Sequence, residues 1–283
     1  MARQVEVVDR FELHRRPPRA AAFRLLGSVE QADAVVQEAQ ARLGTSGAAG
    51  LDRELITIAD LCLDRLRDRE IPEWHVPDVV VIDADEHGPE DAALLGGSVG
   101  VALYTALDGL SPEERVAFVL HDSAGVPFDQ VGEVVGVSAT AAEHLAAVAR
   151  DRIGHAPIPD AELAHQLVVV TAYFRAVKRG DLEGTRALLH DDVVVRSDAG
   201  EHAFSALVTD AATAAHRAVM FGRIRTRMLP ALVNDAAGVV VVAHGEVLSV
   251  VAVTVVGDRI AEIDALHDPQ RLATMGLSAF LSA

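Results

Sequence analysis

The first half of the chain carries apolar residues at helical spacing, three or four positions apart. Residues 9–70 and the stretch from about residue 90 to 154 therefore predict helices. Ser28 is an N-cap candidate for a helix that ends at Leu43 and has an apolar stripe along one side. Two proline-containing connectors, at 71–90 and 155–160, separate the helical parts.

The pattern changes after residue 160. Helices are predicted at 161–178 and 182–189, and a strand begins at the sequence VVVRSD. Further apolar runs lie at 223–229, 238–243, 247–256 and 259–266, and the sequences between them are typical of hairpin turns. Helices followed by an antiparallel meander predict an α+β fold in which one sheet curls over helices.

Residues 110–153 have the pattern of a helix-turn-helix. Ser111 and Glu114 have capping-box spacing, Gly136 ends a short second helix, and Ser138 caps a third. That third helix occupies the position of a recognition helix in the major groove of DNA. However, three arginines against seven carboxylates give residues 111–153 a formal charge of −4. Since neutralising phosphates supplies most non-specific DNA affinity, DNA binding is doubtful.

The composition supports the same conclusion about charge. A formal net charge of −17 argues against general binding to nucleic acid or to anionic membranes. No apolar run is long enough to span a membrane and no signal region is present, so we expect a cytoplasmic protein. Cys62 is the single cysteine and lies in an apolar helical pattern, as expected for a core thiol. No metal-binding or nucleotide-binding motif is present, so neither a metal nor a cofactor is predicted.

Four segments together resemble a known family. They are FRLLGSVEQADAVVQEA (23–39), DLCLDRLR (60–67), the helix-turn-helix sequence at 110–138 and RGDLEGTRALLHDDVVVRSDAG (179–200). The chain resembles extracytoplasmic-function (ECF) sigma factors that carry a fused C-terminal SnoaL-like domain of the NTF2-like fold. The resemblance implies that the helix at 23–39 binds core RNA polymerase.

The resemblance also implies a multidomain protein. Two all-α domains of the sigma type, the second a helix-turn-helix, would precede a cone-shaped α+β domain of the NTF2-like type. The expected boundaries are 1–72 for the region 2-like domain, 73–92 for the linker, 93–154 for the region 4-like domain and 161–283 for the SnoaL-like domain.

The sequence departs from this family at its signature motifs. The family's linker motif Trp-Leu-Pro-Glu-Pro reads WHVPD here, at 74–78. Its Asp-Gly-Gly-Gly-Lys motif reads DAGEH at 198–202, and its Asn-Pro-Asp-Lys-Leu motif reads DPQRL at 268–272. Glu143, His144 and Val148 stand on the recognition helix where the family usually has arginines. These changes concentrate on surfaces that touch DNA, which predicts that promoter binding has been lost.

A cavity in the NTF2-like domain is then the remaining candidate site. Proteins with this fold use carboxylates and histidines for proton transfer in apolar pockets. The predicted catalytic residues are Asp198, His202, Asp264 and His267, and the predicted substrate-binding residues are Tyr173, Arg196, His216, Phe221, Asn234 and Trp74. If the chain is a sigma factor, the predicted DNA-binding residues are Ser138, Thr140, His144, Arg150 and Arg152.

Three functions remain open at this point. The first is binding of an apolar small molecule in the cavity, with conversion of the cyclase, isomerase or epoxide-hydrolase type in natural-product biosynthesis. The second is a functional ECF sigma factor regulated by its own C-terminal domain. The third is a ligand-sensing or anti-sigma-like protein without turnover. Expected partners are a small-molecule ligand and core RNA polymerase, with no membrane.

Overall fold

The computed structural model describes residues 18–44, 51–83, 101–157, 159–160, 162–200 and 205–282. They belong to two compact units. The helical unit draws on residues 18–44, 51–71 and 103–156, and the sheet unit on residues 72–83, 101–102, 157, 159–160, 162–200 and 205–282. None of the helices in the described ranges is both long enough and apolar enough to cross a membrane.

Within the described residues the helical unit follows the predicted helices closely; the parts predicted at 9–17 and from about residue 90 to 100 lie outside the described residues. Its helices are α1 (Pro18–Leu26), α2 (Val29–Leu43), α3 (Leu51–Arg67), α4 (Val101–Asp108), α5 (Pro112–Phe118) with a π-helical turn at Val119–Ser123, α6 (Phe128–Val135) and α7 (Ala139–Gly154); the first two residues of α4 belong to the sheet unit. The predicted capping box is confirmed, because Ser111 and Glu114 each bond to the backbone of the other. Ser138 caps α7, and Gly136 ends α6 in the left-handed conformation at φ 77°.

The described helices of the two predicted all-α domains share one core. Helix α3 packs on α5 and α6. Arg115 on α5 is 1% exposed; it donates two hydrogen bonds to the carbonyl of Arg24, at 3.1 and 2.9 Å, and pairs with Asp108. Cys62 is fully buried in α3, and burial raises the pKa of its thiol to about 12, so it is an unreactive core residue at neutral pH.

The sheet unit confirms the α+β prediction. Its helices are α8 (Leu163–Arg179), α9 (Leu182–Ala187), α10 (Ala211–Gly222), α11 (Pro269–Thr274) and α12 (Ala279–Ser282). Its strands are β1 (Val81–Asp83), β2 (Leu189–Asp198), β3 (Ala206–Val208), β4 (Arg227–Val233), β5 (Ala236–Ala243), β6 (Glu246–Val256) and β7 (Arg259–Leu266). The order is β1-β4-β5-β6-β7-β2-β3, and the pairing is antiparallel except between β2 and β7.

Each face of this sheet has its own core. On one face Val193, Val251 and Ile263 pack with α8 and α10. On the other, Val250 and Leu266 pack with residues of α11 and α12. Because side chains alternate along a strand, neighbouring residues of β6 or β7 contribute to opposite cores.

The strand predicted at 223–229 begins only at Arg227, where pairing with β5 starts. The preceding residues form a loop held from outside the sheet. The Lys178 ammonium on α8 donates hydrogen bonds of 3.1 Å to the carbonyls of Ile224 and Thr226. The two arginines before Arg227 therefore lie in a loop instead of alternating on a strand face.

Candidate functional site

Strand β2 ends at Asp198, whose carboxylate is 2% exposed and holds the linker. Its Oδ2 accepts hydrogen bonds from the amide of Val76 at 3.0 Å and from the Arg271 guanidinium at 2.8 Å. His75 Nδ1 lies 3.3 Å from the same oxygen. The amide of Gly200 donates to Oδ1 at 3.0 Å. Both oxygens of this buried carboxylate are therefore satisfied.

These contacts determine the charge of Asp198. Burial alone would raise the pKa of the carboxyl, but the hydrogen bonds from His75, Val76 and Gly200 and the charge of Arg271 lower it to about 2. Asp198 is therefore an anion throughout the neutral range and is held by donors on every side. A carboxylate with this pKa is a poor general base.

Arg271, on α11, joins Asp198 to the linker a second time. Its guanidinium donates to the carbonyl of Val76 at 2.7 Å and to Oδ1 of Asp78 at 2.7 and 3.0 Å. We call His75, Val76, Asp78, Asp198 and Arg271 the linker clamp. The three altered family motifs at 74–78, 198–202 and 268–272 each contribute to it, which the sequence did not reveal.

Gly200 is required by the geometry beside the clamp. Its φ is +72°, and a Cβ at this position would lie 2.7 Å from Oδ2 of Asp268, the N-cap residue of α11. A side chain here would be strained and would push α11 away from β2.

The linker is also attached to the sheet itself. Strand β1, which the sequence analysis placed in a connector, pairs antiparallel with β4. Asn234 lies in the turn after β4. Its side-chain Oδ1 accepts a hydrogen bond from the backbone amide of Val80 at 2.8 Å, and its backbone amide donates one to the carbonyl of Val80 at 3.0 Å. Asn234, predicted to bind substrate, is thus a fully buried linker contact. The run of β-branched residues at 79–82 was the available signal for β1.

The other face of the sheet carries a cavity of about 300 Å³, near the lower limit for small-molecule sites. Tyr173 of α8 and Ala214 of α10 line one wall, and Val195, Val251 and Ile263 of the sheet line the other. Burial raises the pKa of the Tyr173 hydroxyl, so it stays protonated. The sequence analysis named Tyr173 as substrate-binding, and the structure places it in the cavity wall.

Polar groups in this cavity lie toward the end of the sheet where β2 and β7 finish and β6 begins. They include Ser197, Ser249 and His267. Burial lowers the pKa of His267, which is therefore neutral at pH 7. The hydroxyl of Ser249 is buried and has no hydrogen-bond partner among the described residues. An unsatisfied buried hydroxyl beside an open space is a ready hydrogen-bonding position for a ligand.

The structure places Asp264 on the opposite face from the cavity. It shares that face with Glu262 and, on β2, with Arg196. Arg196 lies 2.9 Å from Oδ1 of Asp264 and 3.3 Å from Oε2 of Glu262. The pKa of Glu262 is raised to about 7. Burial makes the largest contribution to this rise, followed by repulsion from Asp264, and the charge and hydrogen bonds of Arg196 offset part of it. Burial raises the pKa of Asp264 as well. We call these three side chains the buried triad; Glu262 was not among the predicted site residues.

The other predicted residues of this unit are spread over different places. Phe221 lies at the cavity mouth, 63% exposed. His216 is exposed on α10, and Trp74 is half-buried in the linker. His202 lies outside the described residues. Of the predicted catalytic residues, the structure therefore places only His267 in the described cavity wall, and the catalytic assignment stays a prediction.

In the helical unit the predicted DNA-binding residues divide into two groups. Ser138, the N-cap of α7, and Thr140 and His144 on that helix are exposed. Arg150 and Arg152 pair with carboxylates of their own unit: Arg150 Nε lies 2.6 Å from Asp122, and Arg152 lies 2.8 Å from Glu114. Both guanidinium groups would have to share or leave these partners to reach a phosphate.

The sequence of this chain is similar to those of known sigma factors. Residues 100–153 match the family model "Sigma-70, region 4". The chain is 36% identical over 212 residues to "ECF RNA polymerase sigma factor SigJ" of Mycobacterium tuberculosis, covering 71% of this chain and 67% of that protein. It is 34% identical over 191 residues to "Probable ECF RNA polymerase sigma factor SigI" of the same organism, covering 63% of this chain and 65% of that protein.

A solved structure extends the similarity over the whole fold. The crystal structure of Mycobacterium tuberculosis SigJ superposes with a TM-score of 0.73 at 25% sequence identity, covering 98% of this chain and all of that one. The helical unit is thus of the sigma-70 type and the sheet unit is SnoaL-like. The chain belongs to the ECF RNA polymerase sigma factor family.

Proposed function

We propose that this chain is an ECF-type transcription initiation factor whose sheet unit binds a small molecule with an aliphatic part and thereby adjusts how firmly the linker is held. The observation that carries the proposal is that one strand end serves both the cavity and the linker clamp. Ser197 lines the cavity, and the next residue, Asp198, holds Val76 and Arg271.

A second shared element supports this coupling. His267 lines the cavity, and its backbone amide donates a 2.6 Å hydrogen bond to the carbonyl of Asp198. A ligand that shifts Ser197 or His267 would move the backbone that carries the Asp198 carboxylate. Because four donors converge on that carboxylate, small displacements change several hydrogen bonds at once.

Binding without conversion is the better-supported role for the cavity. Among the described residues its wall contains no carboxylate, since Asp198 lies in the linker clamp and Asp264 in the buried triad. A neutral histidine and two serines are suited to hydrogen bonding with a ligand. Proton transfer needs an acid and a base placed on the same substrate. In the described wall His267 is the one group able to accept a proton near neutral pH, because Tyr173 stays protonated.

The initiation role is tested with core RNA polymerase of Mycobacterium tuberculosis, the source of the relatives, and a pool of random-sequence duplex DNA. The full chain is expected to bind the polymerase and to enrich duplexes that share a sequence. Because Arg150 and Arg152 are already paired, we expect α7 to neutralise about one phosphate or fewer. Its contribution to the salt dependence of DNA binding should therefore be small. Retention is measured by gel shift over a series of salt concentrations.

Two variants separate the two interactions. Ala34→Trp, on the exposed side of α2, should weaken polymerase binding, whereas Thr140→Trp, on the exposed side of α7, should leave it intact and remove sequence selectivity. Polymerase binding without enrichment of any sequence would show that promoter reading has been lost. Failure of the wild-type chain to bind polymerase would overturn the initiation role altogether.

The coupling between cavity and linker is tested by hydrogen exchange with decanol as a neutral probe. Decanol at about twice its dissociation constant should slow exchange of the Val76 amide by about threefold, because a ligand that binds the closed state suppresses opening by that factor. Ala214→Phe, which places a phenyl ring in the cavity, should abolish this slowing of exchange by decanol. Decanol binding that leaves Val76 exchange unchanged would refute the coupling.

A further inference from the structure

The mouth of the cavity is basic in a strongly acidic chain. The segment 211–233 carries four arginines and no carboxylate, although the chain as a whole has a formal charge of −17. Arg217 lines the cavity, and Arg223 and Arg225 flank Ile224, which lines it as well. All three arginines are exposed, and no carboxylate of the described residues forms an ion pair with any of them.

The same mouth exposes large apolar side chains. Phe221 is 63% exposed and Ile224 is 50% exposed, and both belong to the cavity lining. Met220, beside Phe221, is also 50% exposed. A cluster of exposed apolar residues bordered by cations is typical of a binding surface and is unusual for a solvated one.

Polarity inside the cavity decreases from the mouth inward. The strand register places Ser197 beside Ala265, and two residues further in along both strands it places Val195 beside Ile263. On β6, Val251 pairs with Ala265 and so lies level with Ser197, and Ser249 lies two residues further out. The hydroxyl groups of Ser197 and Ser249 therefore lie on the outer levels of the wall, and the level of Val195 and Ile263 further in is aliphatic.

From these three observations we infer that the cavity binds an anionic amphiphile, with its aliphatic tail against Val195, Val251 and Ile263 and its acidic head at the mouth. The head group lies beside Arg217 and the loop that carries Arg223 and Arg225, and Ser249 supplies a hydrogen bond near the head. This assignment rests on the proposed ligand-binding function and specifies its ligand class. A fatty carboxylate and an alkyl phosphate share the required chemistry.

The test uses three probes with the same tail and different heads: decanoate, decanol and decyltrimethylammonium, each below its micelle concentration. Isothermal titration calorimetry on the full chain should show decanoate binding at least about fivefold more tightly than decanol, as expected for exposed ion pairs. Decyltrimethylammonium should bind more weakly than decanol. Added salt should weaken decanoate binding and leave decanol binding unchanged.

Matched variants locate the head group. Arg217→Gln should bring the affinity for decanoate close to that for decanol, while Arg259→Gln, an exposed charge at the start of β7 and the far end of the sheet, should change neither. Thermal midpoints of both variants should equal that of the wild type. Equal decanoate affinity in the wild type and Arg217→Gln would overturn the placement of the head.

The remaining outcomes separate this inference from the proposal beneath it. Equal binding of all three probes would refute the anionic class but keep the ligand-binding cavity. Binding of none would refute both. Capture of the chain by phosphatidylglycerol vesicles, without binding of monomeric decanoate, would identify the basic mouth as a membrane contact and overturn the inference.

Discussion

Replacing Arg271 with methionine should lower the free energy of unfolding of the sheet unit by about 3–5 kcal/mol, the usual cost of leaving a buried charge without its partner. The Asp198 carboxylate would keep the donors from Val76 and Gly200 but lose its only arginine contact among the described residues. Urea denaturation followed by the fluorescence of Trp74 measures the change, because this single tryptophan lies in the linker of the sheet unit.

Two controls make the Arg271 result specific. Arg186→Met, an exposed position on α9, should cost less than about 0.5 kcal/mol. The wild type should also lose stability as the pH falls from about 4 to 2, because the folded pKa of Asp198 is depressed to about 2 and protonation removes its charge. A loss below about 1 kcal/mol in Arg271→Met would contradict a structural role for the clamp.

Replacing Arg196 with methionine should destabilise the sheet unit by a similar amount, about 3–5 kcal/mol at pH 8. Glu262 and Asp264 would then face each other in a buried site without a cation. The loss should shrink at pH 5, because burial raises the pKa of both carboxyls and they can take up protons there. Urea denaturation at the two pH values measures the difference.

In the wild type, the contribution of Glu262 to the pH dependence of stability has the opposite sign from that of Asp198. The pKa of Glu262 is raised to about 7 in the folded chain, so its contribution becomes less favourable as the pH rises from about 4.5 to 7. The triple variant Arg196→Met, Glu262→Gln, Asp264→Asn should recover most of the stability lost at pH 8. An equal loss at pH 5 and 8 in Arg196→Met would point to packing instead of charge.

The sequence predicted the elements well where local chemistry decides them. Ser111 and Ser138 mark helix starts, and the turns between the last four strands follow from their glycine and polar residues. Periodicity also showed that Glu262 and Asp264 share one face of β7. It could not tell which face lines the cavity, because both faces of this sheet are covered and each has its own apolar core.

The linker clamp was beyond the reach of the sequence because its members are far apart along the chain. Val76 and Arg271 are separated by 195 positions, and only folding brings them within 2.7 Å. The three altered motifs were noted one by one as departures from the family. Their substitutions are compatible with each other: the motif at 268–272 keeps a cation, Arg271, and it meets the carboxylate of Asp198.

Strand β1 has a consequence for solubility. Its three residues pair with Ala231–Val233 and so cover that part of an outer strand whose backbone would otherwise be open to another chain. Pro230, which precedes Ala231 in β4, has no amide hydrogen and cannot donate a backbone hydrogen bond to an added strand. Removing residues 72–83 would expose the backbone of this strand edge and should promote self-association, so a sheet unit produced alone needs this segment, although more than seventy residues separate it from the helix α8.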